Sequence, residues 1–253
     1  MLENVRSTAA GPVRQALVLA AGNGDRFKNT SGTSKLLQPV LGQTLILRTL
    51  ETARAAGITH FDVVVGYRAP ELQAALEAYR PDDVVIRFTH NPRWQLENGL
   101  SALAARAHCA AGRFALLMGD HLFEADVLAR ALRTPVAPGE SLLAVDSRTA
   151  PAAVAAEATK VRMSDGWITA IGKNVEPYDA LDTGLFVCDP NLFEALDQSR
   201  RAGDTTLSGG IRRLAARGLM RALDIGDARW CDIDTPTDLE TAEALLAAEP
   251  SPL

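Results

Sequence analysis

The sequence is poor in cysteine. Its three, Cys109, Cys188 and Cys231, are odd in number, far apart and set in apolar surroundings. No CxxC spacing occurs, which argues against a zinc site or a disulfide framework. Free thiols in a reducing, cytoplasmic setting are the expectation. Neither sign of charge dominates: 26 Lys and Arg face 31 Asp and Glu, for a net charge of -5. That balance gives no electrostatic case for binding nucleic acid or an anionic membrane. No apolar run approaches the roughly 18 residues of a membrane helix, so no direct insertion into a bilayer is expected. Residues 1–13 have no basic segment followed by an apolar core and read as a flexible leader. Internal repeats and low-complexity linkers are also missing. One domain over 14–250 is the economical reading, with a nucleotide-binding first half and a substrate-facing second half.

What is present is an alternation of short apolar runs with helix-period segments. Ala16–Ala20, Phe61–Gly66, Val84–Phe88 and Phe114–Met118 read as strands, and Leu45–Ala56, Pro70–Tyr79 and Asn98–Ala110 as helices. Strands apolar on both faces and separated by helices predict a parallel sheet covered on both sides. After about Ser141 the pattern shifts to short strand-like runs, Ala158–Met163, Trp167–Ile171 and Leu185–Cys188. Ser164-Asp165-Gly166 is a hairpin signal between the first two. Helices near Asn191–Arg201 and Leu207–Ala216, a strand near Met220–Ile225, the segment Arg229–Ile233 and a helix from Pro236 follow. The fold class expected is α/β: a Rossmann-like, mixed but mainly parallel sheet flanked by helices.

The strongest local signal is Leu17-Val-Leu-Ala-Ala-Gly-Asn-Gly-Asp-Arg-Phe27, followed by Ser34-Lys35-Leu36-Leu37 and Pro39-Val40. A strand that ends in small residues and glycines lets backbone N–H groups cradle phosphate oxygens. Arg26 and Lys35 then supply the local positive charge that the overall composition withholds. A dinucleotide loop fits less well, because its third glycine position is Phe27 and the next helix is delayed beyond Gly42.

The segment resembles the signature loop of the nucleotidyltransferase superfamily with the nucleotide-diphospho-sugar transferase fold, L-A-A-G-x-G-x-R followed by K-x-L-x-P-V. The resemblance implies that Leu19, Ala20, Ala21, Gly22, Gly24, Arg26 and Lys35 receive the nucleotide and its triphosphate. Asp120 closes the strand Phe114–Met118 at the edge where open parallel sheets bind ligands, placed to hold a hard cation such as Mg²⁺. A second acidic site, Trp230-Cys-Asp-Ile-Asp-Thr-Pro-Thr-Asp-Leu239, is similar to a D-x-D-T-P-x-D-L ending of the superfamily. By motif position Asp234 is the second metal ligand and Asp232 a helper, while Asp238 reads as first-turn helix chemistry. His121 is open between lining the site and packing beside it.

Two further stretches narrow the chemistry. Asn91-Pro-Arg-Trp-Gln-Leu-Glu-Asn-Gly-Leu-Ser101 resembles cytidylyltransferases for inositol phosphate and phosphocholine, which implies Asn98, Gly99 and Ser101 near the cytosine and ribose. The runs from Ala158 to Met163, Trp167 to Asn174 and Tyr178 to Phe186 resemble CTP:inositol-1-phosphate cytidylyltransferases. They suggest Lys173 as a clamp for the acceptor phosphate and Asp182 as a partner for polyol hydroxyls. The activity implied joins CMP from CTP to a phosphorylated small alcohol, with inositol 1-phosphate leading. Phosphocholine, an aminoalkylphosphonate, a sugar 1-phosphate, a molybdopterin cofactor and a non-catalytic nucleotide sensor stay open. In many relatives this domain is fused to a membrane-embedded synthase that consumes CDP-inositol. Nothing in the sequence resembles that domain, so a separate CDP-alcohol transferase is expected downstream. A second copy of the chain is left open as a partner.

Overall fold

The computed structural model describes residues 12–27, 32–79 and 81–247. All but the last two residues of the expected leader lie outside them. The chain opens with β1 (Gln15–Ala20), then β2 (Pro39–Val40), β3 (Gln43–Thr44), α1 (Leu45–Ala55), β4 (His60–Val65), α2 (Ala69–Tyr79) and β5 (Val85–His90). It continues through α3 (Asn98–Ala104), α4 (Arg106–Cys109), β6 (Phe114–Met118), β7 (His121–Phe123), α5 (Ala125–Arg133) and β8 (Ser141–Asp146). The rest comprises α6 (Ala152–Glu157), β9 (Lys160–Ser164), β10 (Trp167–Gly172), β11 (Ala180–Cys188), α7 (Asn191–Arg201), α8 (Leu207–Ala215), β12 (Met220–Asp224), β13 (Trp230–Asp232) and α9 (Pro236–Ala247).

Strands from both halves join one nine-stranded sheet in the order β5-β4-β1-β6-β11-β8-β12-β10-β9. The first four pair in parallel, whereas β11 enters antiparallel between β6 and β8. The alternation of side chains along β1 explains the layering. Ala16, Val18 and Ala20 point into one core with Leu45, Ile46, Leu72 and Leu128 of α1, α2 and α5. Leu17 and Leu19 point into the other, with Leu192, Phe193, Ile211 and Leu214 of α7 and α8. Each Leu, Ile, Val or Phe side chain among them contributes about 1.5–3 kcal/mol by leaving water. Helix α1 buries Leu45, Ile46, Thr49, Leu50 and Ala53, a stripe that recurs every three to four residues.

The hairpin expected at Ser164–Gly166 joins β9 to β10, with Asp165 at φ 51° and Gly166 at φ 78°. Consecutive left-handed residues match the twist of a two-residue hairpin. Most boundaries fall within about two residues of the sequence reading, and two differ by more. The helix expected over Asn98–Ala110 breaks at buried Ala105 (φ -89°, ψ 4°), whose N–H bonds to the Ala102 carbonyl. The strand expected over Leu185–Cys188 begins five residues earlier, at Ala180, because a register shift between Asp182 and Phe186 carries the pairing through Gly184. No helix among the described residues is long and apolar enough to cross a membrane.

Candidate active site

The parallel strands β1 and β6 end side by side, and the chain leaves both at the same edge. After β1, Gly24 adopts a left-handed φ of 64°, and a Cβ there would stand 3.0 Å from the Lys35 Cβ. A glycine is therefore what lets the loop lie over the lysine. Ser34 caps the short turn Lys35–Leu37 by accepting from the Leu36 N–H, which fixes the direction in which Lys35 leaves the backbone.

Lys35 is 8% exposed, and its Nζ lies 2.6 Å from Asp120 Oδ2 and 3.3 Å from Asp234 Oδ1. Burial alone would lower the lysine pKa, but the Asp120 and Asp234 carboxylates outweigh it and hold the ammonium above its ordinary value. The other oxygen of Asp234 receives Arg26 Nη2 at 2.6 Å, and Arg26 Nη1 is 3.6 Å from Glu157 of α6. Burial, then the neighbouring Asp232, pushes Asp234 up. Arg26, Lys35, Asp120 and Asp234 line a solvent-open cleft that also carries Leu19, Ala20, Gly22, Asn23, Gly24, Asp25 and Leu36. Ala21 sits just beneath it, its carbonyl accepting the Tyr67 N–H.

The short strands β7 and β13 pair antiparallel, which sets Asp232 opposite His121. Asp232 Oδ1 lies 3.1 Å from His121 Nε2, off the axis of a hydrogen bond, and is a buried oxygen with no hydrogen-bond partner. Burial would lower the His121 pKa, but Asp232 overrides it and raises the imidazole to about 9. Asp182 belongs to the same cluster: burial lifts its carboxyl to about 6, against the Gly184 N–H that donates to Oδ1 at 2.8 Å and the nearby imidazole. One donor atom each from Asp120, His121 and Asp232 lie within 4.8 Å of one another. Asp238 accepts from the N–H groups of Asp234 and Thr235 and from the Thr235 hydroxyl, so it shapes the start of α9.

Leu19, Ala20, Gly22, Gly24, Arg26, Lys35, Asp120 and Asp234 are thus gathered in one place. Asn98, Gly99 and Ser101 do not line the cleft. The Asn98 Oδ1 accepts the Leu207 N–H, Gly99 packs on Thr205 and Thr206, and Ser101 Oγ accepts from Asn91 Nδ2. Lys173 is exposed on the connection between β10 and β11. Glu157 was not foreseen: nothing in the sequence of α6 signals a partner for Arg26. The grouping of His121 with Asp182 was equally hidden, since it depends on β11 lying beside β6.

A model of the MobA-like NTP transferase domain matches residues 16–218. The Rubrobacter xylanophilus protein called bifunctional IPC transferase and DIPP synthase is 37% identical over 234 residues, 91% of this chain and 51% of its own. Its Aquifex aeolicus counterpart is 34% identical over 237 residues, 92% of this chain and 52% of its own. The chain therefore spans about half the length of the curated relatives it matches. Among solved structures, the inositol-1-phosphate CTP transferase from T. maritima superposes with a TM-score of 0.81 at 24% identity, covering 96% of this chain and 100% of that one. A UDP-glucose pyrophosphorylase complexed with UDP-glucose reaches 0.79 at 18% identity, covering 92% and 98%. These two share the fold. The glycine-rich loop, Lys35 and Asp120 all lie inside the matched span, and the chain belongs to the family of MobA-like NTP transferase domains.

Proposed function

We propose that the chain is a cytidylyltransferase that joins CMP from CTP to inositol 1-phosphate, giving CDP-inositol and pyrophosphate. The observation that carries the reading is the cleft in which the glycine-rich loop, Arg26 and Lys35 face Asp120 and Asp234. The choice of CTP and inositol 1-phosphate is supported by the relatives' names and by the sequence runs from Ala158 to Phe186.

The loop amides would wrap the triphosphate, and Arg26 and Lys35 would exchange their carboxylate partners for phosphate oxygens. Lys173 would take the acceptor phosphate and Asp182 a ring hydroxyl. An ionised phosphate oxygen of the acceptor attacks the α-phosphorus of CTP, a new P–O bond forms, and the bond to pyrophosphate breaks in line. The attacking oxygen carries no proton to remove, so no general base is needed. The work of the chain is to align two polyanions and screen their repulsion.

The donor set fits a divalent cation, because Asp232 Oδ1 is a buried oxygen without a hydrogen-bond partner next to Asp120. Carboxylate oxygens suit Mg²⁺, which Asp120 and Asp232 would hold, with Asp234 a further donor once phosphate draws Arg26 and Lys35 away. Bound there, the ion would supply charge neutralisation for the phosphates. The CDP-alcohol product would serve a transferase that displaces CMP.

The test is pyrophosphate release with CTP, ATP, GTP and UTP against inositol 1-phosphate, phosphocholine, an aminoalkylphosphonate and a sugar 1-phosphate. Turnover confined to CTP with inositol 1-phosphate supports the reading. Turnover with another pair replaces the substrate, and none with any pair defeats transfer.

A further inference from the structure

The transfer reaction leaves one residue of the site without a duty. His121 carries a ring that is 14% exposed and held by segments far apart in sequence. Its Nδ1 donates to the Thr183 carbonyl of β11 at 3.0 Å, and its Nε2 lies 3.1 Å from Asp232 Oδ1 of β13. The Trp230 ring closes edge-on at 6.2 Å. Its backbone is approached as well, since Thr49 Oγ1 of α1 lies within hydrogen-bond reach of the carbonyls of Gly119 at 3.3 Å and His121 at 3.2 Å.

Strand β11 is built to receive this ring. Gly184 has a left-handed φ of 74°, and any Cβ there would collide with His121 Nδ1. The Gly184 N–H is bound by Asp182, and the Thr183 hydroxyl donates to the Ala144 carbonyl at 2.8 Å, which pins the bulge to β8. One imidazole therefore spans a notch in the strand that carries Asp182 and a carboxylate beside the nucleotide cleft. Its Nε2 stands 3.1 Å from a buried Asp232 oxygen that lacks a hydrogen-bond donor.

We propose that His121 is a positioning residue that couples strand β11, on the acceptor side, to the Asp232 carboxylate, and so sets the spacing between acceptor and nucleotide phosphates. This rests on the cytidylyl-transfer reading. Without the ring, Asp232 is free to turn and the Gly184 notch loses its filling, while the glycine-rich loop and Lys35 keep their own supports. The damage falls on turnover rather than on CTP binding.

Two substitutions of the full chain separate the two ends of the ring. In His121→Asn the amide N–H reaches the Thr183 carbonyl but is too short for Asp232. In His121→Gln the longer side chain reaches Asp232. Loss of an outer partner that orients a carboxylate costs roughly 10- to 100-fold, so His121→Asn should lose that much in kcat with the KM for CTP within about twofold. His121→Gln should recover to within about threefold of wild type, at a melting temperature matching that of His121→Asn. Equal activity of the two variants, a loss that follows melting temperature, or a loss confined to the KM for CTP would overturn the inference. An inactive wild type defeats the transfer reading and this inference with it. An active wild type with indistinguishable Asn and Gln variants defeats the inference alone.

Discussion

Lys35 Nζ sits 2.6 Å from Asp120 Oδ2, joining the turn after the glycine-rich loop to the end of β6 across 85 residues of sequence. An ammonium this buried persists because two carboxylates hold it, and it is thereby stored where a triphosphate would arrive. Lys35→Met keeps the volume of the side chain and removes the charge. Removal of a preorganised charge-stabilising group costs about 100- to 1000-fold, so kcat/KM for pyrophosphate release should fall by that factor. Steady-state assays beside a circular-dichroism spectrum check it; a folded variant with wild-type kcat/KM would remove Lys35 from the reaction.

Asn98 supports the seam between α3 and α8. Its Oδ1 satisfies the N–H of Leu207, one of the donors at a helix start that lack an intrahelical partner. Asn98→Ala should lower stability by about 1 kcal/mol in urea unfolding and leave the KM for CTP within about twofold. A large rise in that KM without loss of stability would instead assign Asn98 to the base.

Gly99 meets the same seam from below. A Cβ on it would lie 2.5 Å from the Thr205 carbonyl oxygen and 2.8 Å from Thr206 backbone atoms, none of which can turn aside. Gly99→Ala should cost about 1–3 kcal/mol, read as a fall in melting temperature. An unchanged melting temperature would show that the two helices are free to separate.

The thiols give a prediction in pH. Burial, joined by the Asp62 charge, pushes Cys109 from an ordinary 9.0 up to about 12, and burial with Asp238 raises Cys231 to about 12. Burial drives Cys188 up as well. At pH 8 only about one thiol in ten thousand with such a pKa is thiolate, so the native protein should resist Ellman's reagent and all three should react after unfolding. The linkage has a definite sign. A folded pKa above the unfolded one leaves these contributions intact below pH 9, and stability falls as pH rises from 9 towards 12. A native thiol that titrates rapidly at pH 8 would contradict this.

Much of the scaffold was legible because local chemistry enforces it. The buried run Ala16–Ala20, the apolar stripe of α1 and the Asp165-Gly166 turn each carry their own signal within a few residues. The glycine-rich loop and Lys35 were legible for the same reason. Three features were not. Strand β7 has only three residues, too few for any periodicity, yet its pairing with β13 is what sets His121 against Asp232. The antiparallel insertion of β11 between β6 and β8 is a long-range choice that no window of sequence contains. The break at Ala105 occurs in an alanine-rich stretch without Gly or Pro, where helix propensity favours continuation. Asp234 pairs with Arg26 and Lys35, and Asp232 shares its donor cluster with Asp120 and His121, groupings that the motif alone does not spell out.

Cytidylyl transfer, as proposed, would make a phosphoanhydride bond between CMP and a phosphorylated inositol in this cleft. Phosphorus-31 NMR of the protein with CTP, inositol 1-phosphate and Mg²⁺ tests it directly. Transfer should give loss of the monoester signal together with paired diphosphate-diester resonances and free pyrophosphate. Nucleotide and monoester signals that both persist unchanged, in a sample shown to bind CTP, would contradict it.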